Sequence, residues 1–245
     1  MKKIFLLIIT LKLFAVTPIE LAKKYDKLTS GFKSSIANMS MILINEANQK
    51  IERKLIIKTL EDKNDEDKTL LIFLSPADIK NTKLLTYNHL HKSDSQWIYL
   101  PALKRIKRIS SSNKSGSFMG SEFSYEDIAN NNYKKYNYNG TLKQQNNFFI
   151  TTRIPKDKNS GYSKQIVYQD KESFLVKKIE YFDRKHELLK IALFDKFEKI
   201  KGIWSIKQIT MSNIQTGKKT ILIWDNIKLF ANLKNKDFKK RVLKR

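Results

Sequence analysis

A series of strand-like segments separated by short turns fills the second half of the chain, and it limits the possible folds more than any other feature. The segments are rich in β-branched and aromatic residues and cover residues 148–154, 165–169, 174–182, 188–197, 204–211 and 220–230. Turn-forming residues lie between them, including Asp183-Arg184-Lys185 and Thr216-Gly217. Because connections this short join neighbouring strands, the pattern predicts an antiparallel meander. Alternation in the last segment places one apolar set on a single face: Ile221, Ile223, Ile227 and Leu229.

A single helix is predicted near the start of the chain. Thr17 can cap a helix whose first residue is Pro18, and Glu20 completes a capping box. The helix is predicted to run to about Leu28, just before a Thr-Ser-Gly sequence that favours its end.

More strands follow the helix, at residues 40–45, 51–60 and 70–74. The last of these is apolar throughout, which indicates burial on both faces. No second domain boundary or internal repeat is visible, so residues 18–245 are predicted to form one domain. A sheet this long must twist, and it will curl into a barrel or half-barrel or fold over as a sandwich. The concave face of a curled sheet is the usual place for a ligand.

Residues 1–17 have the pattern of a secretory signal peptide. Two lysines precede a short apolar run that ends at Val16, and the small residue Ala15 lies near the expected cleavage point. The run is too short for a transmembrane helix, which needs about 20 apolar residues. Lys12 interrupts the run, and a first helix buried in the core is the alternative. A cleaved signal predicts a soluble mature protein in a periplasm.

The charge and the cysteine content limit the chemistry. The chain has no cysteine, which excludes disulfides, thiolate metal sites and cysteine nucleophiles. The formal net charge of +24 favours anionic partners such as nucleic acid or phospholipid head groups. Only seven of the 48 basic residues are arginine, however, and this excess of lysine is also typical of an AT-rich genome. The charge alone therefore selects no partner.

The segment at residues 96–128 mixes aromatic, basic and small residues. Trp97 and Tyr99 share one face of a predicted strand, and Ile98 and Leu100 share the other, before Pro101 ends the strand. Either pair can line the wall of a cavity, or both can belong to ordinary packed faces.

A basic cluster follows, with apolar residues at every third position from Leu103 to Ile109. This spacing fits neither a regular strand nor a helix, and it predicts a bulged strand with its cations directed outward. The cations either contact lipid phosphate or an acidic patch on a membrane partner, or they are simply solvated. They are Lys104, Arg105, Lys107 and Arg108.

A Ser- and Gly-rich stretch at residues 110–117 predicts a mobile loop. The large apolar side chains after it suit a lid that opens for cargo, and they suit equally an anchor that holds the loop on the core. They are Phe118, Met119, Phe123 and Tyr125.

No catalytic pattern is present in the sequence. His89 and His91 could face the same side of a strand as metal ligands, but no third ligand is evident and exposed histidines at a strand end are the simpler interpretation. Serine-hydrolase, phosphate-binding-loop and zinc-protease motifs are all missing. We therefore predict a protein that is not an enzyme and has no cofactor or metal.

A basic nucleic-acid-binding β protein is an alternative function for the chain. The net charge and the basic tail at residues 234–245 support it, but no nucleic-acid-binding motif occurs and the predicted export signal opposes it.

Four stretches resemble the outer membrane lipoprotein-sorting family, the LolA-like periplasmic proteins. They are residues 73–80, 83–87, 97–105 and 118–127, and the likeness extends from about residue 21 to the basic ending at 238–243. The resemblance implies an incomplete antiparallel β-barrel with a few helices covering its open side. It also implies a hydrophobic cavity that holds the acyl chains of a lipid or lipoprotein in transit toward the outer membrane. The alternative function that it implies is an accessory periplasmic subunit of an RND-type inner-membrane transporter.

On this interpretation we expect a monomer whose cavity or lid contacts lipid and whose basic cluster contacts an anionic partner. The lipid-contacting residues are predicted to be Trp97, Tyr99, Leu100, Phe118, Met119, Phe123 and Tyr125. The residues that contact the anionic partner are predicted to be Lys104, Arg105, Lys107 and Arg108.

Overall fold

The structure is a computed structural model and describes residues 16–62, 66–129, 132–138 and 140–244. All but the last two residues of the predicted signal peptide lie outside these ranges, so the signal peptide stays a prediction. None of the helices in the described ranges is both long enough and apolar enough to cross a bilayer.

Helix α1 spans Pro18–Thr29 and begins as the sequence predicts. The Glu20 amide donates to the Thr17 hydroxyl, and the Glu20 carboxylate accepts a hydrogen bond of 2.8 Å from the Thr17 amide. This closed capping box fixes the start of the helix. A second helix, α2, is a single turn at Tyr125–Ile128.

The remaining regular structure is strand. The strands are β1 (Ser34–Ile44), β2 (Lys50–Leu60), β3 (Asp67–Ser75), β4 (Lys83–Asn88), β5 (Ser95–Leu100), β6 (Arg105–Ile109), β7 (Tyr136–Asn137), β8 (Lys143–Gln145), β9 (Phe148–Pro155), β10 (Lys164–Asp170), β11 (Val176–Phe182), β12 (Leu188–Ile200), β13 (Ile203–Asn213) and β14 (Lys219–Leu229). All eleven strands predicted from the sequence, including those at Trp97 and in the basic cluster, are therefore present in this set.

All these strands form one antiparallel sheet. Its order is β6-β5-β4-β3-β2-β1-β14-β13-β12-β11-β10-β9-β7, and β8 also pairs with β9. The first and last strands in this order do not pair, so the sheet is an open, incomplete barrel. The predicted fold class is confirmed, while a closed barrel and a sandwich were wrong alternatives.

The two faces of the sheet carry separate hydrophobic clusters. The inner cluster joins side chains from distant strands, such as Leu84 of β4 and Val167 of β10, which requires the sheet to curl around it. The outer cluster includes Leu70, and the segment after β14 covers it with Phe238 and Leu243. β3 contributes to both clusters, which confirms its predicted burial on two faces.

Interruptions in the pairing change which side chains face inward. The register of β1 against β14 shifts between Ile36 and Asn38, and Asn226 opposite this point has a positive φ of 50°. The bulge adds an extra residue and so places Ile227 on the same face as Trp224. Both side chains line the same inner space. The prediction that Ile221 and Ile223 share a face with Ile227 and Leu229 was therefore wrong, since a bulge reverses the alternation.

Candidate functional site

A cavity of about 410 Å³ lies between α1 and the inner face of β1, β2 and β9–β14. Its volume is near the lower end of the roughly 300–1,000 Å³ that is typical of small-molecule sites. Most of its walls are apolar, and they include Ile57, Val167, Ile179, Ile209, Met211 and Trp224.

Small side chains at inward positions leave this space unfilled. Ala22 of α1, Ala37 of β1 and Ala192 of β12 all line the cavity, and both strand alanines are buried. A curled sheet with large residues at these positions would fill its own interior, as small barrels do. The small inward residues therefore leave a cavity between the large ones, and its surface is apolar.

A buried ion pair fixes the chain segment that crosses one side of the cavity. Lys190 Nζ of β12 lies 2.6 Å from Asp127 Oδ2, and the two side chains are only 5% and 3% exposed. Tyr162 donates its hydroxyl hydrogen to the same carboxylate at 2.9 Å, and Lys190 also donates to the Glu122 carbonyl at 2.9 Å. The segment that carries Glu122 and Asp127 is thereby tied to the sheet.

A second cation, Arg153, lines the cavity itself. Its Nε donates to Gln165 Oε1 at 2.8 Å, and its guanidinium lies 4.1 Å from the centre of the Tyr136 ring. Burial alone would lower the pKa of Arg153, but the surrounding tyrosines outweigh it and raise the pKa. The guanidinium is therefore charged at all physiological pH values.

Polar contacts join the two ends of the open sheet. Asp94, before β5, accepts a hydrogen bond of 2.7 Å from Lys135, and Asp157, after β9, accepts bonds of 2.7 Å from both Ser93 and Lys114. These contacts border a polar cleft of about 740 Å³ that also includes His89. We call this set of contacts the seam, because it connects the β4–β5 side of the molecule to the β9–β10 side.

The seam is expected to weaken in acid. Burial would raise the pKa of Asp157, but hydrogen bonds from Lys114, Ser93 and the Asn159 amide outweigh it and lower the pKa to about 2. Because the pKa is lowered in the folded state, the ionised carboxylate stabilises the fold above its ordinary pKa near 3.8, and this stabilisation is lost as the pH falls toward 2. Asp157→Asn should therefore lower the thermal midpoint at pH 7, and its difference from the unmodified protein should shrink between pH 4 and about 2. A difference that stays constant over this range would show that Asp157 does not stabilise the seam as a carboxylate.

The predicted lipid-contacting residues lie in three different places. Trp97 and Tyr99 belong to the outer cluster, where Lys240 lies 4.2 Å from the Trp97 ring centre, so they face away from the cavity. Phe123 does line the cavity. The others pack on the inner cluster without appearing in the cavity wall: Leu100, Phe118, Met119 and Tyr125.

The segment predicted as a lid or an anchor has the contacts of an anchor. The Phe118 ring is fully buried, with ring-centre distances of 5.9 Å to Phe73 and 5.5 Å to Tyr125. Arg53 of β2 donates a hydrogen bond to the main-chain carbonyl of Met119. These contacts support the anchoring alternative.

The basic cluster is exposed at one edge of the sheet. Arg105, Lys107 and Arg108 lie on the edge strand β6, and Lys104 precedes it with a positive φ of 49°. The register of β5 against β6 is unbroken, so the predicted bulge was wrong. The third-position spacing arises because Leu103 lies in a short 3-10 helix before the strand begins.

The two histidines considered as metal ligands lie in different surroundings. His89 is buried, with Nδ1 3.5 Å from Glu66 Oε1, whereas His91 is exposed. The expectation that both are exposed was therefore wrong for His89. No group of three or more potential metal ligands occurs within the ranges that the structure covers.

Sequence reasoning missed Arg153, which lines the cavity, and also Gln165 and Lys190, which bind Arg153 and Asp127 of the cavity wall. All three are on strands, at inward positions where an apolar residue would be expected. A charged residue at such a position is the signal that could have found them, since charges are seldom buried without a partner or a function.

The chain is similar in sequence and fold to several proteins of known structure. A family model described as an uncharacterized protein matches residues 65–245. A domain from Vibrio parahaemolyticus described as an outer membrane lipoprotein-sorting protein is 42% identical, with 93% of this chain and 98% of that chain covered and a TM-score of 0.88. A DUF1329 family protein from Desulfovibrio piger is 30% identical, with 91% and 96% covered and a TM-score of 0.86.

A more distant structure shares only the fold. It is a LolA superfamily protein from Nitrosomonas europaea, 19% identical, with 93% of this chain and 100% of that chain covered and a TM-score of 0.75. No curated protein matches the chain significantly.

Proposed function

The chain belongs to the LolA-like outer membrane lipoprotein-sorting family, and on this premise we propose that it is a periplasmic carrier that holds the acyl chains of a lipid or lipoprotein in its cavity. The observation that carries the proposal is the apolar cavity of about 410 Å³ on the inner face of an open sheet. The proposed location in the periplasm also depends on cleavage of the predicted signal peptide. Export can be tested by separating the periplasmic and cytoplasmic fractions of cells that produce the full chain.

The energy of binding suits a carrier. Burial of an acyl chain of about 16 carbons contributes about 0.8 kcal/mol per methylene, or about 12 kcal/mol in total. Removal of the same chain from a bilayer costs a similar amount, so transfer between membrane and carrier would be close to balance. A carrier with such a cavity can therefore accept and release cargo without a large energy source.

Two measurements test the proposed function. Mass spectrometry of the protein purified from the periplasm should detect a co-purified lipid. Displacement of a fluorescent fatty-acid probe should then occur with that lipid at a stoichiometry near one. Failure of every tested lipid to displace the probe, together with the absence of co-purified lipid, would contradict the proposal.

We further propose that the exposed basic cluster on and before β6 contacts an anionic surface during loading or unloading, and that an RND-type inner-membrane transporter lies next to it. An edge strand with several cations also resists pairing with other sheets, so the charges protect the edge as well. The contact itself would depend on salt, because exposed charges are screened over about 8–10 Å at physiological ionic strength.

Reversal of two charges tests this contact. Arg105→Glu combined with Arg108→Glu should weaken binding to vesicles that contain phosphatidylglycerol, by on the order of 1 kcal/mol for each reversed residue. The matched control is Lys219→Glu combined with Lys228→Glu, which changes the net charge equally at exposed positions of β14. Vesicle co-sedimentation in moderate salt measures both. Equal losses in the two variants would show that only net charge matters, which would contradict a specific contact at β6.

A further inference from the structure

The cavity wall contains a buried positive charge that the apolar lining does not explain. Arg153 is only 9% exposed and lies in the lining. Nε donates to Gln165, and the guanidinium stacks over the Tyr136 ring and lies beside the Tyr138 hydroxyl, which also lines the cavity. These three side chains carry no negative charge at neutral pH.

Two buried carboxylates near the stacked Tyr136 ring, Asp127 and Glu126, are engaged elsewhere. Asp127 pairs with Lys190 at 2.6 Å, and Glu126 accepts hydrogen bonds from the Ser160 hydroxyl at 2.5 Å and the Gly161 amide at 3.0 Å. Within the described ranges, no carboxylate forms an ion pair with Arg153. Buried charges in proteins are normally paired, because the loss of hydration is otherwise uncompensated.

The terminal side of the guanidinium has the chemistry of an anion site. Nε donates to Gln165, and the two terminal nitrogens have no carboxylate partner among the described residues, although a planar guanidinium can bind carboxylate or phosphate through two parallel hydrogen bonds. The adjacent Tyr138 hydroxyl can donate a third. A ligand in the cavity can therefore be polar at this point only if its polar group is an anion or a strong acceptor.

We infer that Arg153 is the head-group site of the cavity and that the cargo is an amphiphile with a carboxylate or phosphate head. This inference rests on the proposed carrier function and narrows it to a class of ligand. The apolar walls hold the hydrocarbon chain, and Arg153 fixes the end of the chain and its direction in the cavity. A neutral amphiphile would leave the guanidinium unpaired and would bind more weakly for that reason.

The test compares three single-chain probes of equal chain length. They are palmitate, 1-palmitoyl lysophosphatidic acid and hexadecanol, each titrated into the intact protein while the fluorescence of Trp204 and Trp224, which line the cavity, is followed. We expect the two anionic probes to bind at least about tenfold more tightly than hexadecanol. A preference for palmitate alone would assign a fatty acid as the source of the head group, and a preference for the phosphate alone would assign a phospholipid.

Substitution at Arg153 separates charge from packing. Arg153→Gln should abolish the preference for anions and change hexadecanol affinity by less than about twofold, and Arg153→Lys should retain part of the preference because it keeps the charge. The matched control, Arg105→Gln on the exposed edge strand, should leave all three affinities unchanged. If Arg153→Gln does not fold, the anion preference of the unmodified protein and of Arg153→Lys still decides the question.

The failures of the two proposals are distinguishable. Equal affinity of the unmodified protein for all three probes would overturn the head-group site and leave the carrier function standing. A loss of hexadecanol affinity in Arg153→Gln as large as the loss for palmitate would also overturn it. Binding of none of the probes would overturn both proposals.

Discussion

Replacement of Lys190 with methionine is expected to lower the free energy of unfolding by about 3–5 kcal/mol, because it leaves a buried carboxylate without its cation. The Asp127 side chain is 3% exposed, so water cannot replace the lost ammonium group. Tyr162 remains as a hydrogen-bond donor, and it is neutral because burial and the nearby Asp127 carboxylate raise its pKa well above the ordinary value. Urea unfolding followed by circular dichroism measures the loss.

Two further variants test whether the loss of stability is specific to the buried ion pair. Lys218→Met removes an exposed pair with Glu46, whose side chains are 46% and 69% exposed at 3.7 Å, and it should cost less than about 1 kcal/mol. Lys190→Met combined with Asp127→Asn removes both charges and should recover part of the loss. A loss below about 1 kcal/mol for Lys190→Met alone would show that the segment carrying Asp127 is not held by this pair.

The sequence predicts the elements well because their signals are local. Thr17, Pro18 and Glu20 lie within four residues of one another, and the capping box they form is the one observed. Turn residues such as Gly202 and Gly217 have positive φ values of 87° and 71° at the β12–β13 and β13–β14 connections. Such residues mark strand ends without reference to the rest of the chain, so the meander and its order are readable.

The direction of side chains is less predictable because bulges interrupt alternation. The pairing of β10 with β11 skips Lys177, as Tyr168 is opposite Lys178 and Gln169 is opposite Val176. Val176 therefore joins Ile179 on the inner face, although an odd spacing separates them. A bulge depends on strain and twist in the paired strands, and a single strand's sequence records it weakly.

The cavity could not be located from the sequence, because distant segments form it. Its wall extends in sequence from Ala22 to Leu229. The aromatic pair Trp97 and Tyr99 was a reasonable choice, but the C-terminal segment covers that face of the sheet with Phe238. Which face a terminal segment covers is a property of the whole fold. The resemblance to LolA-like proteins predicted that a cavity exists, and the structure was needed to identify its walls.

Replacement of Ala192 with tryptophan is expected to weaken the binding of an acyl-chain probe by about a hundredfold or more. Ala192 is buried on β12 between Ile179 of β11 and Met211 of β13, and all three side chains line the cavity. An indole at this position would occupy space that the proposal assigns to the hydrocarbon chain. Exclusion of about four methylenes at about 0.8 kcal/mol each corresponds to about 3 kcal/mol, which is more than a hundredfold in affinity.

The fold should tolerate this change better than an ordinary core substitution. Overpacking of a filled core costs about 1–3 kcal/mol, and here the indole enters unfilled space. The matched control is Ala47→Trp, which adds the same side chain at the exposed β1–β2 turn and should leave probe affinity unchanged. Titration with a fluorescent fatty acid, alongside thermal unfolding of each variant, separates lost binding from lost folding. If Ala192→Trp folds and still binds the probe with its original affinity, the acyl chain must lie elsewhere, because an indole and a hydrocarbon chain cannot occupy the same part of this cavity.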